Sequence, residues 1–368
     1  MATCYLDENE LAILWLHSFS LGVKKREAVL ALFEEPKQML GCFEGKKEFL
    51  VSLLGDKTYA KMVKTSPKTE AKKLFDAVNK LKIGIITMWS KDYPKALREI
   101  ADPPLVLFAL GNVDLLKEKS IAVVGTRKPT AYGKEVCKSF CERLADAGVV
   151  LVSGLAYGID SIAHVAAVEE GHSKTIAVMG GGLDDIYPSA HTQLARQIVK
   201  TGGLLVSEYF PGVRPTSYTF PERNRIVSAL SCGVLVIEAG ENSGSLHTVG
   251  FAVEQGKELF IVPANITSSA SFGSNRVLVE MPHALVTSAD QILERLGIET
   301  LAPKEEFELD AEEKMVYDLV SREPIEFDEL AEKCHISTEK LSSLLTIMEM
   351  NGIIRRLPGN YVAAGSVR

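Results

Sequence analysis

Apolar residues follow three successive patterns along the chain. Over residues 1–82 they recur at helical spacing. Leu11, Leu14, Trp15 and Leu16 begin one stripe, and Ala28, Val29, Leu30, Leu32 and Phe33 begin another. Between the stripes lies Leu21-Gly22-Val23-Lys24-Lys25-Arg26. A glycine turn leading into basic residues at a helix start suits a phosphate backbone or, equally, a solvated helix start. Residues 83–111 change period: Ile83–Trp89 and Leu105–Leu110 are short β-type runs, with Asp92-Tyr93-Pro94 and Asp102-Pro103-Pro104 supplying turns.

From residue 120 to about 297 the chain alternates strand and helix. The predicted strands are Ser120–Gly125, Val149–Ser153, Thr175–Met179, Leu204–Ser207, Val234–Glu238 and Leu259–Val262. Each is a continuous apolar run, as expected of strands covered on both faces of a parallel sheet. Roughly 12–25 residues separate neighbours, enough for a crossover helix. The pattern predicts an α/β, Rossmann-like, doubly wound and mostly parallel sheet. Residues 298–308 contain proline, are acidic and lack periodicity, which predicts a linker. Residues 309–368 predict three helices, at Asp310–Ser321, Phe327–Cys334 and Thr338–Met350, then two short strands around Pro358-Gly359-Asn360. Three helices and a β-hairpin make a winged helix. The expected organisation is therefore a helical N-terminal domain of SAM-like or helix-hairpin-helix type (1–82), the Rossmann-like domain (83–297), the linker (298–308) and the winged helix (309–368).

Composition narrows the function classes. The chain has 368 residues, 46% apolar and 24% charged, which is ordinary for soluble globular protein. No apolar run approaches the roughly 20 residues of a membrane span, and the start, MATCYLDENE, is acidic where a signal peptide is basic. A cytoplasmic protein is expected. Cys4, Cys42, Cys137, Cys141, Cys232 and Cys334 show no CxxC pair and no zinc spacing, so no metal site is expected. Cys137 and Cys141 share a helix face and read as packing. The net charge of −7 excludes a protein coated in basic residues but leaves room for one basic site. Charge is uneven: residues 1–118 hold 18 basic against 16 acidic residues, and residues 309–368 hold 7 against 11.

In an open parallel sheet ligands bind beyond the carboxyl ends of the strands. Four of the predicted strands open there into glycine- and hydroxyl-rich loops: Gly125-Thr126-Arg127-Lys128, Ser153-Gly154-Leu155-Ala156, Gly180-Gly181-Gly182 and Gly240-Glu241-Asn242-Ser243-Gly244-Ser245-Leu246-His247-Thr248. Glycine lets backbone N–H groups approach a phosphate, and a helix start adds partial positive charge. Arg127, Lys128, Lys174, Arg223 and Arg225 supply cations that are expected to converge on this edge. No GxGxxG or GxxxxGK[ST] loop is present, so neither a dinucleotide nor a nucleoside triphosphate cofactor is expected. GxSxG is missing as well. Asp160 and His164, four apart, could hydrogen-bond on one helix, in an orienting role. Asp184-Asp185 reads as a turn.

The motifs from Asp92 to Ala284 identify a resemblance. Tyr93-Pro94, Pro103-Pro104, VVGTRKPT, SGLAYGIDSIAH, TIAVMGGGLDDIYP, Ser207-Glu208, FPERNR, EAGENSGSLHT and Val262-Pro263 occur in the order found in the DNA-processing protein A family, also called DprA or Smf. The resemblance implies a protein that binds single-stranded DNA in a basic pocket of the Rossmann-like domain, forms homodimers through that domain, and protects incoming DNA while assisting loading of the RecA recombinase in natural transformation. It implies no catalytic residue and no cofactor. The residues matching its DNA-facing motifs are Gly125, Arg127, Lys128, Ser153, Gly154, Lys174, Arg223, Asn224, Arg225, Ser243, Gly244, Ser245 and Thr248, with Arg127 and Lys174 foremost as phosphate ligands. The chain departs from the pattern at Tyr157, where arginine is usual, at Ala264 and at Pro282-His283. The last two fall near the region the resemblance assigns to dimer or recombinase contact.

An alternative is a nucleoside-monophosphate hydrolase, which uses a PGGxGTxxE segment at this edge; here the segment reads EAGENSGSLHTVGFAVE, with Glu254 differently spaced. The winged helix is acidic, and TEKLSSLLTIMEM makes an unconvincing recognition helix for duplex DNA, so protein contact or regulation is the expected role.

Overall fold

The computed structural model describes residues 5–64, 66–169, 174–298, 309–321, 323–351 and 353–364. Cys4, His172 and nearly all of the expected linker lie outside them. The chain divides into two compact units, Met1–Ile298 and Glu299–Arg368.

The first unit begins with helices whose ends are written in the sequence. Asp7 caps the Glu8–His17 helix: its carboxylate accepts from the Glu10 N–H at 2.8 Å, and the Glu10 carboxylate accepts from the Asp7 N–H at 3.0 Å. This helix is buried along Ala12–Leu16. Helices Val23–Ala31, Lys47–Leu54, Asp56–Val63 and Pro67–Lys80 pack around it. Their apolar core continues into one face of the sheet, through Ile85, Phe108, Ala177 and Leu205.

Eight strands form that sheet: β1 (Gly84–Thr87), β2 (Val106–Gly111), β3 (Ser120–Val124), β4 (Val150–Ser153), β5 (Thr175–Met179), β6 (Leu204–Ser207), β7 (Gly233–Val236) and β8 (Glu258–Ile261). The order is β1-β2-β6-β5-β4-β3-β7-β8. The pairs from β6 to β8 are all parallel, while β1 and β2 add an antiparallel margin. β3, β4 and β5 are buried at every residue, which is why they read as unbroken apolar runs. The strand order runs one way from β3 to β6 and the other way from β3 to β8. β3 and β7 therefore flank a topological switch point, where the two loops diverge and leave a crevice.

The second unit has helices Ala311–Val320, Phe327–Cys334 and Thr338–Met350 and a three-stranded sheet: β9 (Ile325–Glu326), β10 (Ile354–Leu357) and β11 (Tyr361–Ala364), in the order β10-β11-β9. This is a winged helix. The two-residue strand β9 was not legible in the sequence. Gly359 and Asn360 take positive φ of 84° and 66° at the tip of the wing, as a tight hairpin turn requires. No helix among the described residues is long and apolar enough to cross a membrane.

Candidate nucleic-acid interface

A cleft of about 830 Å³ lies at the carboxyl ends of β3, β4 and β7, on the switch point. One wall is the loop after β3, with Gly125, Thr126, Arg127 and Lys128; the facing wall is the loop after β7, with Gly240, Asn242, Ser243 and Gly244, and the start of the Ser245–Glu254 helix. Gly154 and Asp160 come from the β4 side, and Phe220, Arg223 and Asn224 from the Thr219–Ala229 helix.

The two walls are built differently. Arg127 and Lys128 are exposed and have no ion-pair partner among the described residues. The Arg127 guanidinium lies 5.7 Å from the centre of the Phe220 ring, within cation–π range. Their loop is held from below by Glu238, 1% exposed. Its backbone carbonyl accepts from the Thr126 N–H at 2.6 Å; its carboxylate accepts from the Thr130 N–H at 2.9 Å and the Thr130 hydroxyl at 2.7 Å. One residue therefore fixes both ends of the segment carrying the cations. On the opposite wall, the Ser245–Glu254 helix has no side-chain cap at Gly244, and the N–H groups of Ser245, Leu246 and His247 are taken up locally by the Ser243 hydroxyl, the Ser243 carbonyl and the Gly244 carbonyl, so it is the positive end of the helix dipole that faces the cleft. The Ser243 and Ser245 hydroxyls lie 2.7 Å apart. Thr248 is fully buried, and its hydroxyl has no hydrogen-bond partner among the described residues.

The floor is neutral overall. Arg223, 4% exposed, donates to the Gly154 carbonyl at 2.7 Å and to the Val178 carbonyl, tying the ends of β4 and β5 together. Burial lowers its pKa. Gly154 is required there, since a Cβ would sit 2.3 Å from the guanidinium. Asp160 accepts from the N–H groups of Gly154 at 3.1 Å and Ala156 at 3.4 Å. Burial pushes its carboxyl up, while Arg223 and those N–H groups pull it down.

Of the residues singled out from sequence, Gly125, Arg127, Lys128, Gly154, Arg223, Asn224, Ser243, Gly244, Ser245 and Thr248 all line this cleft. Three do not. Lys174 immediately precedes β5 and so lies at the amino edge of the sheet, about 16 Å of strand from the carboxyl edge. There it pairs with Glu118, which precedes β3, at 2.6 Å. Arg225 is two residues from Arg223 on one helix, a rotation of about 200°. It points to the other side, where it pairs with Glu208 at 2.6 Å and Asp102 at 3.3 Å. Ser153 turns inward and donates to the Val123 carbonyl at 2.6 Å. The expected convergence of five cations therefore reduces to two exposed ones, with Arg223 held in the floor. Asp160 and His164 also have separate partners: His164 Nδ1 lies 2.7 Å from the Thr175 hydroxyl.

The sequence reading missed Thr126, Tyr187, Phe220, Asn242 and His247, which also line the cleft. All of them sit inside or directly beside motifs already singled out, Tyr187 at the end of TIAVMGGGLDDIYP. The motif marks Tyr187, but only folding brings its ring within 5.5 Å of Phe220. Tyr157 does not line the cleft; its ring packs edge-on against His191 at 4.9 Å. Glu254 ends its helix, roughly 14 Å along the axis from Ser245, and is exposed.

Comparison with known proteins shows the family and the fold. A family model described as DNA recombination-mediator protein A matches residues 84–297, and one described as DprA winged helix domain matches residues 300–360. Protein Smf of Escherichia coli is 39% identical over 283 residues, covering 74% of this chain and 75% of its own. The X-ray structure of DNA processing protein A from Streptococcus pneumoniae is 34% identical, with a TM-score of 0.59, covering 80% of this chain and 98% of its own. DNA processing protein A from Helicobacter pylori, solved to show its single-stranded DNA binding mode, is 32% identical with a TM-score of 0.52, covering 58% of this chain and 95% of its own.

Proposed function

Because the chain belongs to the DNA-processing protein A family, we propose that it binds single-stranded DNA in the cleft at the switch point, protects the strand, and assists its transfer to the RecA recombinase in natural transformation, acting in the cytoplasm as a homodimer and without catalytic turnover. The carrying observation is the pairing of walls: two exposed cations, Arg127 and Lys128, face an uncapped helix start with hydroxyls. Both walls are donors or positive, and neither reads a base edge, so the strand is held by its backbone regardless of sequence. Phe220 and Tyr187 offer ring faces to bases, which a duplex keeps stacked inside. The related Helicobacter pylori protein binds single-stranded DNA. The hydrolase alternative would need a carboxylate poised in the cleft. Glu254 is at the far end of its helix, and Asp160 is held by backbone N–H groups.

In the winged helix, Arg356 is engaged with Glu349 and Thr346, while Ile347 and Met350 are exposed on the Thr338–Met350 helix. That supports protein contact over duplex binding for this unit.

The test is fluorescence anisotropy of oligo-dT and a matched duplex at two salt concentrations. The wild-type chain is expected to prefer the single strand and to weaken with salt. Arg127→Ala/Lys128→Ala is expected to weaken binding at least tenfold. It should also flatten the salt dependence, by about 0.7 in log–log slope for each phosphate that is no longer neutralised. Binding indifferent to the double substitution would overturn the assignment of the site.

A further inference from the structure

A site that tracks the backbone of a long single strand is a groove with cations spaced along it. The cleft is not built that way. Lys174 and Arg225, which would have extended it, lie at the amino edge and in a buried ion pair. What remains is a concavity of about 830 Å³, within the roughly 300–1,000 Å³ of pockets that enclose a small molecule.

On one wall of the cleft is the unfilled hydroxyl of Thr248. It is 0% exposed, bonded to nothing among the described residues, and lines the cleft. A buried hydroxyl without a partner is costly, and native structures seldom keep one without a ligand or water to satisfy it. It sits one turn into a ten-residue helix whose start has no side-chain cap. Ser245, 8% exposed, lies beside it. The positive end of the helix dipole, the unpartnered Thr248 hydroxyl and the Ser245 hydroxyl, which it shares with Ser243, make a cradle for a phosphate on the buried side of the cleft, beneath the exposed Asn242, Gly244 and His247.

Depth decides which phosphate. An internal phosphodiester continues into a nucleotide on both sides, and both must leave the cleft floor past its walls. A phosphate monoester continues on one side only. It presents three unesterified oxygens to the donors and carries close to two negative charges at neutral pH, which matches the two unpaired cations above it. We infer that the Ser245–Thr248 cradle is a receptor for a phosphate monoester on a nucleotide, so that the cleft takes a phosphorylated strand end, or a free mononucleotide, in preference to the interior of a strand. This inference rests on the cleft being the strand-binding site.

The experiment uses the full chain and internally labelled oligo-dT of one length, ending in a 5′-phosphate, a 3′-phosphate or hydroxyls only. Thymidine monophosphate and thymidine serve as competitors. One phosphate-ended oligomer is expected to bind at least tenfold more tightly than the hydroxyl-ended one. Thr248→Val should abolish that difference, and Thr248→Ser, which keeps the hydroxyl, should restore it. If thymidine monophosphate but not thymidine displaces the phosphate-ended strand, a free nucleotide reaches the same cradle; if neither competes, the strand end alone is its ligand. Equal affinity for all three oligomers would overturn the inference and leave strand binding standing. If no oligomer binds, the strand-binding reading fails. A rise in melting temperature with thymidine monophosphate would then still support the monoester cradle, and no rise would overturn it as well.

Discussion

Two regions of the first unit are built around arginine, and they treat it in opposite ways. Where the N-terminal helices meet the sheet, Arg26 pairs with Asp102, and Arg225 pairs with Glu208 and Asp102. The side chains of Arg225 and Glu208 are 8% and 12% exposed. His17 is half-buried beside them, its Nε2 2.7 Å from the Glu208 carbonyl. At the cleft, Arg127 and Lys128 are exposed and meet no carboxylate within ion-pair range among the described residues. The first arrangement is complete without a ligand. The second is a cationic surface whose counter-charge has to come from outside. The same residue type thus serves architecture in one place and recognition in the other, and only the partners tell them apart.

Arg225→Ala is the strongest way to break the comparison. It leaves Glu208 buried without its partner, at a cost of about 3–5 kcal/mol. A large fall in melting temperature is expected, with strand affinity unchanged in whatever fraction remains folded. Lost affinity at unchanged melting temperature would put Arg225 back in the binding site. The Arg127→Ala/Lys128→Ala pair is the mirror image, with affinity lost and melting temperature kept.

Acid sharpens the contrast. Burial lowers His17 to about 4 and His164 to about 3, from an ordinary 6.5. The folded state holds both neutral while the unfolded chain protonates them. Their contribution is therefore full above pH 6.5 and is lost as pH falls from there toward 4 and then 3. Burial raises Asp160 and Glu208, which works in the opposite sense. Comparing melting temperatures of wild type and His164→Asn between pH 7 and pH 5 isolates the histidine: the variant should show the shallower decline. An identical decline would show that His164 is not held neutral. The smallest effect is expected for Lys174→Ala. Its pair with Glu118 is more than a third exposed on both sides, worth about 0–1 kcal/mol. Neither strand binding nor melting temperature should move appreciably, and a clear loss of binding would place a second contact at the amino edge.

Much of this was legible in the sequence for physical reasons that can be named. Parallel strands buried on both faces leave unbroken apolar runs, so β3 to β8 could be located to within about two residues at each end. The carboxyl-edge rule then located the loops of the cleft. Lys174 and Arg225 failed for reasons that were also available. A residue that precedes a parallel strand lies at its amino end, and residues two apart on a helix face apart. The role of Glu208 was not available. It depends on where the N-terminal helices close against β6 and its neighbours, which no local pattern records. Thr248 was found as a motif residue, but that its hydroxyl would be buried and unsatisfied is a property of packing alone.

The brace beneath Arg127 and Lys128 has a consequence for how the family can vary. A Cβ at Gly133 would lie 2.2 Å from the Glu238 carboxylate, and that carboxylate holds Thr130, whose hydroxyl in turn accepts from the Gly133 N–H at 3.1 Å. Positions 130, 133 and 238 are thus one heritable unit, although more than a hundred residues of sequence separate the last from the first two. A lineage that replaces Glu238 with a shorter side chain frees position 133 to become something other than glycine, and one that keeps the glutamate does not. Substitution at either position alone should be rare, and paired change should be the route by which this loop diverges.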